Sequence, residues 1–472
     1  MSHEIRADYN QMLMFPPSLE DLLEQDHPVR FIREFVDELD LHGLGFQMRK
    51  GEEGRPNYAA DLLLKVWLYG YLERIRSSRK LERACRQHVA LMWLTGMNYP
   101  DHNSLWRFWN SNRQALKEVF RQTVRVAMEA NLVDMVLNAV DGTKITARAS
   151  TKKAWIRKKL ERKLARLDKS LDQAMAEVER AEKEESGEYR LPAELAEKEE
   201  LRKTIREKLA RLKGEEREHM HPGEPDAQMM KNHEGTRLGY NAQAVVDSKA
   251  GVIVTAEVTT DQNDERQLVP MLEKVQEEVG MVAEETVADG GYCSGEQLDS
   301  AERAQLPVLV NLGEVQRAEE AGGPYHSSKF VYDPENDCLI CPMGEKLEYD
   351  RTCRRKDRSF ETRVYHCKSF ENCPVREDCS QDKKGRCVER SPYTDAILRQ
   401  KEKQKDKTKA NLLRQRMFIA EPAFARVKHL LEFRRWTMGG LEKVKPQWAF
   451  VCALVNLSRI YPHWREGKLQ LV

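Results

Sequence analysis

Five short runs of apolar and β-branched residues in the middle of the chain constrain its fold most strongly. Runs of this length, bounded by Gly, Asn and Asp, are typical of buried strands. They lie at residues 135–147, 243–247, 252–258, 285–292 and 307–312. Helical patterns follow the third run, over 265–279, and the fifth run, over 411–434 and 442–461. This order predicts an α/β fold with a sheet flanked by helices.

A long charged segment interrupts the strands after the first run. Apolar residues recur every three or four positions over 156–181 and 201–212, with Gly187 and Pro192 between the two stretches. The other positions are dense in Lys, Arg and Glu, which is typical of solvated helix faces. The pattern predicts an antiparallel coiled-coil hairpin inserted over 152–217.

The stretch from residue 60 to 130 is helical in pattern and locally basic. It holds twelve basic and six acidic residues, whereas the whole chain is nearly neutral, with 78 Lys and Arg against 77 Asp and Glu. Within it, residues 99–113 predict a turn, an Asn or Ser cap and a helix. That helix carries Trp106, Arg107, Trp109 and Arg113. Such a helix suits a DNA groove, with Arg79 as a second contact; the alternative is a solvated bundle with the tryptophans in its core.

The termini and the cysteines bear on the cellular compartment. The first ten residues, MSHEIRADYN, carry charges and no apolar segment of a signal peptide. The apolar stretch 448–457 is ten residues long, about half of the ~20 that a membrane span needs. We therefore expect a cytoplasmic protein whose ten cysteines are reduced or bound to metal.

Seven cysteines fall within 313–395, where the periodicity of strands and helices is lost. Cys338 and Cys341 form a C-x₂-C pair, a common spacing for zinc. The other candidate ligands are Cys367, Cys373 and Cys379. A tetrahedral zinc site needs four thiolates, and the spacing does not select which; the alternative is a small β-rich insertion with metal-free thiols. His219 and His221 are interpreted as residues of a loop after the hairpin.

Three acidic residues are candidates for catalysis. Asp141 and Asp289 each end a predicted buried strand beside a glycine, and Glu421 lies in a predicted long helix. Taken singly, an Asp-Gly after a strand is usually a turn, and a helical Glu is usually solvated. Together, converging carboxylates are what a pair of Mg²⁺ ions needs, and two such ions support displacement at a phosphodiester.

Eight segments stand in the order of the blocks of one protein family. Two are helical, at 54–86 and 100–109. The others are AVDGTKITARAS (139–150), GYNAQAVVD (239–247), TTDQNDERQL (259–268), TVADGGYCSGEQL (286–298), EPAFARVK (421–428) and GLEKVKPQWAFVCALVNLSRI (440–460). They resemble the blocks of bacterial insertion-sequence DDE transposases, and the resemblance runs from about residue 10 to 460.

The resemblance implies a domain organisation and a catalytic triad. The implied domains are an amino-terminal helical DNA-binding domain (1–130), an RNase H-like catalytic domain (131–312 and 411–472) and a Cys-rich insertion (313–410) that is a candidate zinc ribbon. In such a fold the first Asp lies on the first strand, the second Asp on the fourth, and the Glu on a later helix. These are Asp141, Asp289 and Glu421, which would hold Mg²⁺ or Mn²⁺. Glu442 is a rival for the third position, but suits a packing helix better.

The resemblance also implies contacts with phosphates at the transposon end. Lys428 follows the predicted glutamate by seven residues, which is two turns of an α-helix, and matches the phosphate-binding lysine of the family. The positions of the family's Arg and Tyr hold Met417 and Arg414 here. Arg416 is the nearest substitute for the missing arginine.

The implied activity is metal-dependent hydrolysis at the transposon ends, followed by attack of the freed 3′-hydroxyl on target DNA. Lys144, three residues after Asp141, is a candidate contact to the DNA backbone, with an ordinary surface lysine as the alternative. The implied partners are double-stranded DNA, at the terminal inverted repeats and the target, and a second copy of the chain. The other functions left open are a decayed or domesticated transposase that only binds DNA, and a nuclease that never joins strands.

Overall fold

The computed structural model describes residues 18–47, 57–184, 193–232, 234–355 and 359–471 of the chain. These residues form two compact units. The first comprises Met1–Leu132, Ile145–Gly239 and Ala425–Val472, and the second Val133–Lys144 and Tyr240–Phe424.

Fifteen α-helices lie in the described ranges. They are α1 (Pro28–Asp37), α2 (Ala60–Leu72), α3 (Ser78–Ala84), α4 (Val89–Leu94), α5 (His102–Ser111), α6 (Arg113–Glu129), α7 (Arg157–Glu184), α8 (Ala193–Gly214), α9 (Leu268–Val279), α10 (Gly295–Arg303), α11 (Gly313–Ala321), α12 (Arg376–Cys379), α13 (Thr394–Lys403), α14 (Lys407–Ala425) and α15 (Leu441–Arg465). None of these helices is both long and apolar enough to cross a bilayer.

Thirteen strands complete the secondary structure of the same ranges. They are β1 (Leu137–Thr146), β2 (Trp155–Ile156), β3 (His219–Met220), β4 (Gln228–Asn232), β5 (Gly235–Asp247), β6 (Ile253–Thr259), β7 (Glu285–Ala288), β8 (Val308–Val310), β9 (Val331–Asp333), β10 (Cys338–Ile340), β11 (Lys346–Arg354), β12 (Glu361–Cys367) and β13 (Cys387–Arg390).

The core of the first unit forms around α15. Its apolar stretch 448–457 is buried throughout and packs against α6, so this stretch is a core helix, as predicted. Two buried amides satisfy their polar groups within the unit: Gln447 donates to the Tyr71 hydroxyl at 2.8 Å, and Asn456 donates to the Thr123 hydroxyl at 3.1 Å. Each of these two amides therefore has a hydrogen-bond partner inside the apolar packing.

The charged segment after β1 forms two helices that pack along each other. Lys198 of α8 reaches Ser170 of α7, and Arg206 reaches Asp168, so the residue numbers rise on one helix as they fall on the other. The helices are therefore antiparallel. The apolar positions Leu171, Ile205, Leu209 and Leu212 are buried. The predicted break at Gly187 and Pro192 lies outside the described residues.

A six-stranded mixed sheet has the strand order β4-β5-β1-β7-β8, and β6 also pairs with β5. β1 pairs in parallel with β7, and β7 in parallel with β8, whereas β5 and β6 are antiparallel. Ser248 donates its N–H to Leu137, and Ala147 donates its N–H to Leu238, so β1 and β5 also run in opposite directions. The α/β class predicted from the sequence is confirmed.

The Cys-rich part of the second unit is more regular than predicted. Residues 331–390 form a five-stranded antiparallel sheet in the order β13-β12-β11-β10-β9. Its small core contains Phe330, Leu339, Leu347, Tyr365 and Val388. The region is thus β-rich, as one of the two interpretations of the sequence expected, although its sequence shows no regular strand periodicity. β11 buries one of its nine residues, so its sequence lacks the alternation that identifies a half-buried strand.

Candidate active site

Asp141 and Asp289 occupy matching positions on neighbouring parallel strands. In the pairing of β1 with β7, Val140 lies opposite Ala288. Asp141 and Asp289 each follow this pair by one residue, so they occupy matching positions. Neighbouring strands are ~4.8 Å apart, and matching residues of a parallel pair point to the same face. The two carboxyl groups therefore adjoin, and the charge of Asp289 raises the pKa of Asp141.

The structure corrects the prediction for Asp141 and confirms the placement of Asp289 at a strand end. β7 ends at Ala288, but β1 continues past Asp141 to Thr146, so Gly142 is not a turn. A Cβ atom at Gly142 would lie 2.3 Å from Nε2 of Gln243. The glycine therefore lets the Gln243 side chain approach the backbone of β1 beside Asp141.

Asp141 is held in a desolvated position between positive and negative groups. Its Oδ1 accepts the N–H of Gly142 at 2.7 Å, and its Oδ2 accepts Nη1 of Arg416 at 3.1 Å. Burial raises the pKa of the Asp141 carboxyl, and the charges of Asp289 and Asp264 add to this effect, while the contacts with Gly142 and Arg416 oppose it. Because desolvation and like charge both disfavour the carboxylate, this site favours the approach of a cation.

Asp264, in the loop between β6 and α9, is a third carboxylate that the sequence analysis did not single out. Its Oδ1 accepts Nδ2 of Asn241 at 2.6 Å and Nε2 of Gln243 at 2.7 Å. Its Oδ2 accepts Nζ of Lys144 at 2.5 Å. The Gln243 carbonyl oxygen in turn accepts the hydroxyl of Tyr292. The two amides are fully buried on β5, so this network supports the strand beside Asp141.

One sequence signal pointed to this network. Asn241 and Gln243 are polar residues two positions apart in an otherwise apolar strand. Because side chains alternate between the faces of a strand, the two amides share a face, and buried amides need partners. Lys144 was predicted to be a DNA contact or a surface lysine; the structure pairs its ammonium group with Asp264 and leaves its side chain 19% exposed.

The structure brings Arg416 to Asp141, but it does not bring in the predicted third ligand. Glu421, five residues further along α14, has an exposed side chain. The charged groups that shift the pKa of Asp141 most are Arg416, Asp289 and Asp264. Throughout the described ranges, no three His, Cys, Asp or Glu side chains are arranged to hold a metal ion.

Lys428 lies in a π-helical turn over 426–430 that follows the end of α14 at Ala425. The expectation that two regular α-helical turns separate it from Glu421 is therefore wrong, because π-helical bonding changes the rotation per residue. Pro422 lies inside α14 and cannot donate a backbone hydrogen bond, so the helix loses regularity near this point.

Two of the three arginines predicted to bind DNA are exposed in the first unit, Arg79 on α3 and Arg107 on α5. The predicted Asn or Ser cap of α5 is wrong, because the carboxylate of Asp101 accepts the N–H groups of Asn103 and Ser104 at 2.9 and 3.0 Å. A cap of this kind stabilises a helix start by about 1 kcal/mol. It therefore fixes the first turn of the helix that carries Arg107.

Four of the five candidate zinc ligands lie close enough to influence one another. Burial raises the pKa of the Cys367 thiol, and the neighbouring Cys341, Cys373 and Cys379 raise it further. Sγ of Cys341 accepts the backbone N–H groups of Met343 and Glu345, each at 3.3 Å. Cys338, the fifth candidate, is buried in β10.

Two family models match the chain. Residues 340–461 match a model described as a transposase DDE domain, and residues 17–111 match a model described as a transposase domain, DUF772. The first range contains Glu421, whereas Asp141 and Asp289 lie outside both ranges. No curated protein was found to match the chain. The two matches to transposase domains, one near each end of the chain, indicate an insertion-sequence DDE transposase.

Proposed function

We propose that this chain cleaves DNA at the ends of its own insertion sequence and joins the freed 3′-hydroxyl to target DNA. The observation that supports this best is the matching placement of Asp141 and Asp289 on the parallel strands β1 and β7. In chain order, β1 is the first and β7 the fifth strand of the six-stranded sheet. If β4 is set aside, which pairs only with residues 235–239 of β5, β7 is the fourth, the position that an RNase H-like fold gives to its second aspartate.

The donor set at Asp141 and Asp289 fits a hard divalent ion. Both residues offer carboxylate oxygens, which Mg²⁺ and Mn²⁺ prefer. One oxygen of Asp289 accepts the N–H of Gly291 at 2.9 Å, and the other accepts no hydrogen bond from the described residues. Bound there, the ions would polarise the phosphodiester and activate a water. Glu421 would complete the set by resemblance, which requires its exposed side chain to turn inward.

Both proposed steps are in-line displacements in which one P–O bond forms and one breaks. In the first, water attacks the phosphorus at the transposon end, and the departing 3′-oxygen takes a proton to become a hydroxyl. In the second, that hydroxyl loses its proton to solvent and attacks a phosphorus of the target, and the departing 3′-oxygen of the target takes a proton from solvent to become a new hydroxyl. Asp141 and Asp289 would hold the metal ions at the reacting phosphate, and the hydrogen bonds of Asp264 would keep β1 and β5 in place beside it.

The direct test uses the purified chain and labelled DNA carrying the sequences that flank its own gene. With Mg²⁺ or Mn²⁺ we expect cleavage at the ends and a joined product with target DNA, and with EDTA neither. Binding without cleavage would instead establish the decayed or domesticated alternative. Cleavage without any joined product would establish the other alternative, a nuclease that never joins strands.

Binding of double-stranded DNA should weaken steeply as salt is raised. Phosphate contacts by Lys and Arg release counterions, so the logarithm of the affinity falls linearly with the logarithm of the salt concentration. Replacing both Arg79 and Arg107 by Ala should reduce that slope by roughly two, about one for each phosphate contact. Fluorescence anisotropy at several NaCl concentrations measures the slope. The control is Arg303→Ala, which removes an exposed arginine of α10 paired with Asp299 and should leave the slope unchanged. An affinity that does not depend on salt concentration would contradict the proposal.

We also propose that Cys341, Cys367, Cys373 and Cys379 bind one structural Zn²⁺. Their mutual influence and the N–H groups donated to Sγ of Cys341 support this set. Zinc requires thiolates, so the thiols must lose their protons and draw together on binding. The ion would then tie the end of β12 to the turn after β10.

Metal analysis of the purified chain should find one zinc per chain. The Cys341→Ser variant should lose it, because a hydroxyl is a poor substitute for a thiolate at zinc. Cys387→Ser is the matched control, since that exposed cysteine lies outside the set of four, and it should keep the zinc. Wild-type protein that takes up no zinc even from solution, or equal loss in both variants, would show that the thiols are metal-free.

A further inference from the structure

We infer that a cavity in the first unit binds one unpaired nucleobase of the DNA, an assignment that rests on the proposed function. The cavity has a volume of about 380 Å³, within the usual range for small-molecule sites. One wall is a single face of α5 that continues into α6, with Trp106, Trp109 and Arg113 at spacings of three and four. The opposite wall includes the turn with His221 and Glu224.

The cavity contains buried polar atoms without partners among the described residues. Glu224 is 2% exposed; its Oε2 accepts the N–H of Ala149 at 2.7 Å, but its Oε1 has no partner. Nδ1 of His221 accepts the N–H of Gly223 at 3.1 Å, which leaves the proton of the neutral ring on Nε2, and that nitrogen also has no partner. Nε1 of Trp109 is a further buried donor without a partner among the described residues. The cavity therefore offers one hydrogen-bond acceptor and two donors to a ligand.

An exposed aromatic ring and a set of cations lie at the same cavity. Trp106 is 52% exposed, whereas Trp109 on the same helix face is buried and stacks on Tyr71. Arg113, Arg148 and Lys443 also line the cavity. Bases stack on exposed indoles whatever their sequence, and cations bind the phosphates that accompany a base.

These three features together select the class of ligand. Water molecules would satisfy Glu224 and His221, but they do not account for the exposed Trp106 beside three cations. A phosphate alone would be repelled by the carboxylate of Glu224. An unpaired nucleotide would use all three features of the cavity. Its base would stack on Trp106, the polar edge of the base would face Glu224 and His221, and its phosphate would lie near the cations. Because a carboxylate accepts from an exocyclic amino group, the cavity should prefer cytosine to thymine.

The test measures the binding of the full chain to three labelled duplexes without divalent ions. One duplex is fully paired, one carries a single bulged cytosine, and one carries a bulged abasic site. We expect the bulged cytosine to bind about tenfold more tightly than the abasic bulge, as stacking of one base commonly provides. Trp106→Ala should bring that ratio to about one. Tyr349→Ala, which removes an exposed aromatic from β11, should keep it.

The Glu224→Gln variant tests the polar edge separately. The amide oxygen can still accept the N–H of Ala149, whereas the amide nitrogen replaces Oε1 and turns an acceptor into a donor. We expect the preference for a bulged cytosine over a bulged thymine to disappear or reverse, with an unchanged thermal unfolding curve. An unchanged preference would overturn the role of Glu224.

The remaining outcomes separate the cavity from the proposed function. Salt-dependent binding of paired DNA, with equal affinity for the cytosine and abasic bulges, would overturn the assignment of the cavity and leave the proposed function standing. Failure to bind any of the three duplexes would overturn both.

Discussion

The Asp141→Asn variant should lose end cleavage by about a thousandfold or more, the scale of removing a central charge-stabilising group, while keeping its affinity for the same DNA. Asparagine preserves the size of the side chain, and its Oδ1 can still accept the N–H of Gly142. It removes the negative charge that pairs with Arg416 and that a divalent ion requires. Cleavage is measured with labelled transposon ends and Mg²⁺, and binding by anisotropy with the metal omitted.

Two further variants make this prediction specific. Asp289→Asn should cause a loss of similar size, because the two carboxylates occupy matching strand positions. Asp350→Asn, at an exposed position of β11, should cut as the wild type does. If Asp141→Asn still cleaves at a comparable rate, Asp141 does not hold the metal, and the reacting phosphate lies elsewhere.

The Asp264→Ala variant should lower the free energy of unfolding by about 3 to 5 kcal/mol, the cost of leaving several buried partners unpaired. Asp264 accepts hydrogen bonds from Asn241, Gln243 and Lys144, and both amides are fully buried. Alanine leaves the amides and the ammonium group without this acceptor. Denaturant unfolding followed by circular dichroism measures the difference.

Two comparisons separate the contribution of the hydrogen bonds to the amides from that of the charge opposite Lys144. Asp264→Asn keeps an oxygen for the two amides and loses the charge opposite Lys144, so it should be less destabilising than Asp264→Ala. Adding Lys144→Met to Asp264→Ala should recover part of the loss, because it removes the unpaired ammonium group. Wild-type stability in Asp264→Ala would mean that water replaces the carboxylate without cost and that the network does not support the strands.

The strands were predictable because their signal is local. The run before Asp289 is short, apolar and followed by two glycines, and such a run needs no knowledge of its neighbours to be recognised as a buried strand. The same reasoning failed at Asp141, where Gly142 resembled a turn. Its actual role, to make room for Gln243, depends on a residue from another strand, which the local pattern does not contain.

Asp264 shows the other limit of sequence reasoning. It lies in a loop, where no periodicity marks a residue as buried or exposed, and its three partners come from β1 and β5. The polar pair Asn241 and Gln243 indicated that some acceptor was needed, but not which one. In the Cys-rich sheet, likewise, the C-x₂-C pair was visible in the sequence, whereas the influence of Cys341, Cys373 and Cys379 on Cys367 depends on the fold.

The ion pair between Asp141 and Arg416 joins residues 275 positions apart in the chain. At a synthesis rate of roughly 5–20 residues per second, Asp141 leaves the ribosome about 14 to 55 s before Arg416 does. Throughout that interval the carboxylate lacks this counter-charge. A message that ends between the codons for Asp289 and Lys407 yields a polypeptide with both aspartates but without α14, so Asp141 never gains the counter-charge of Arg416.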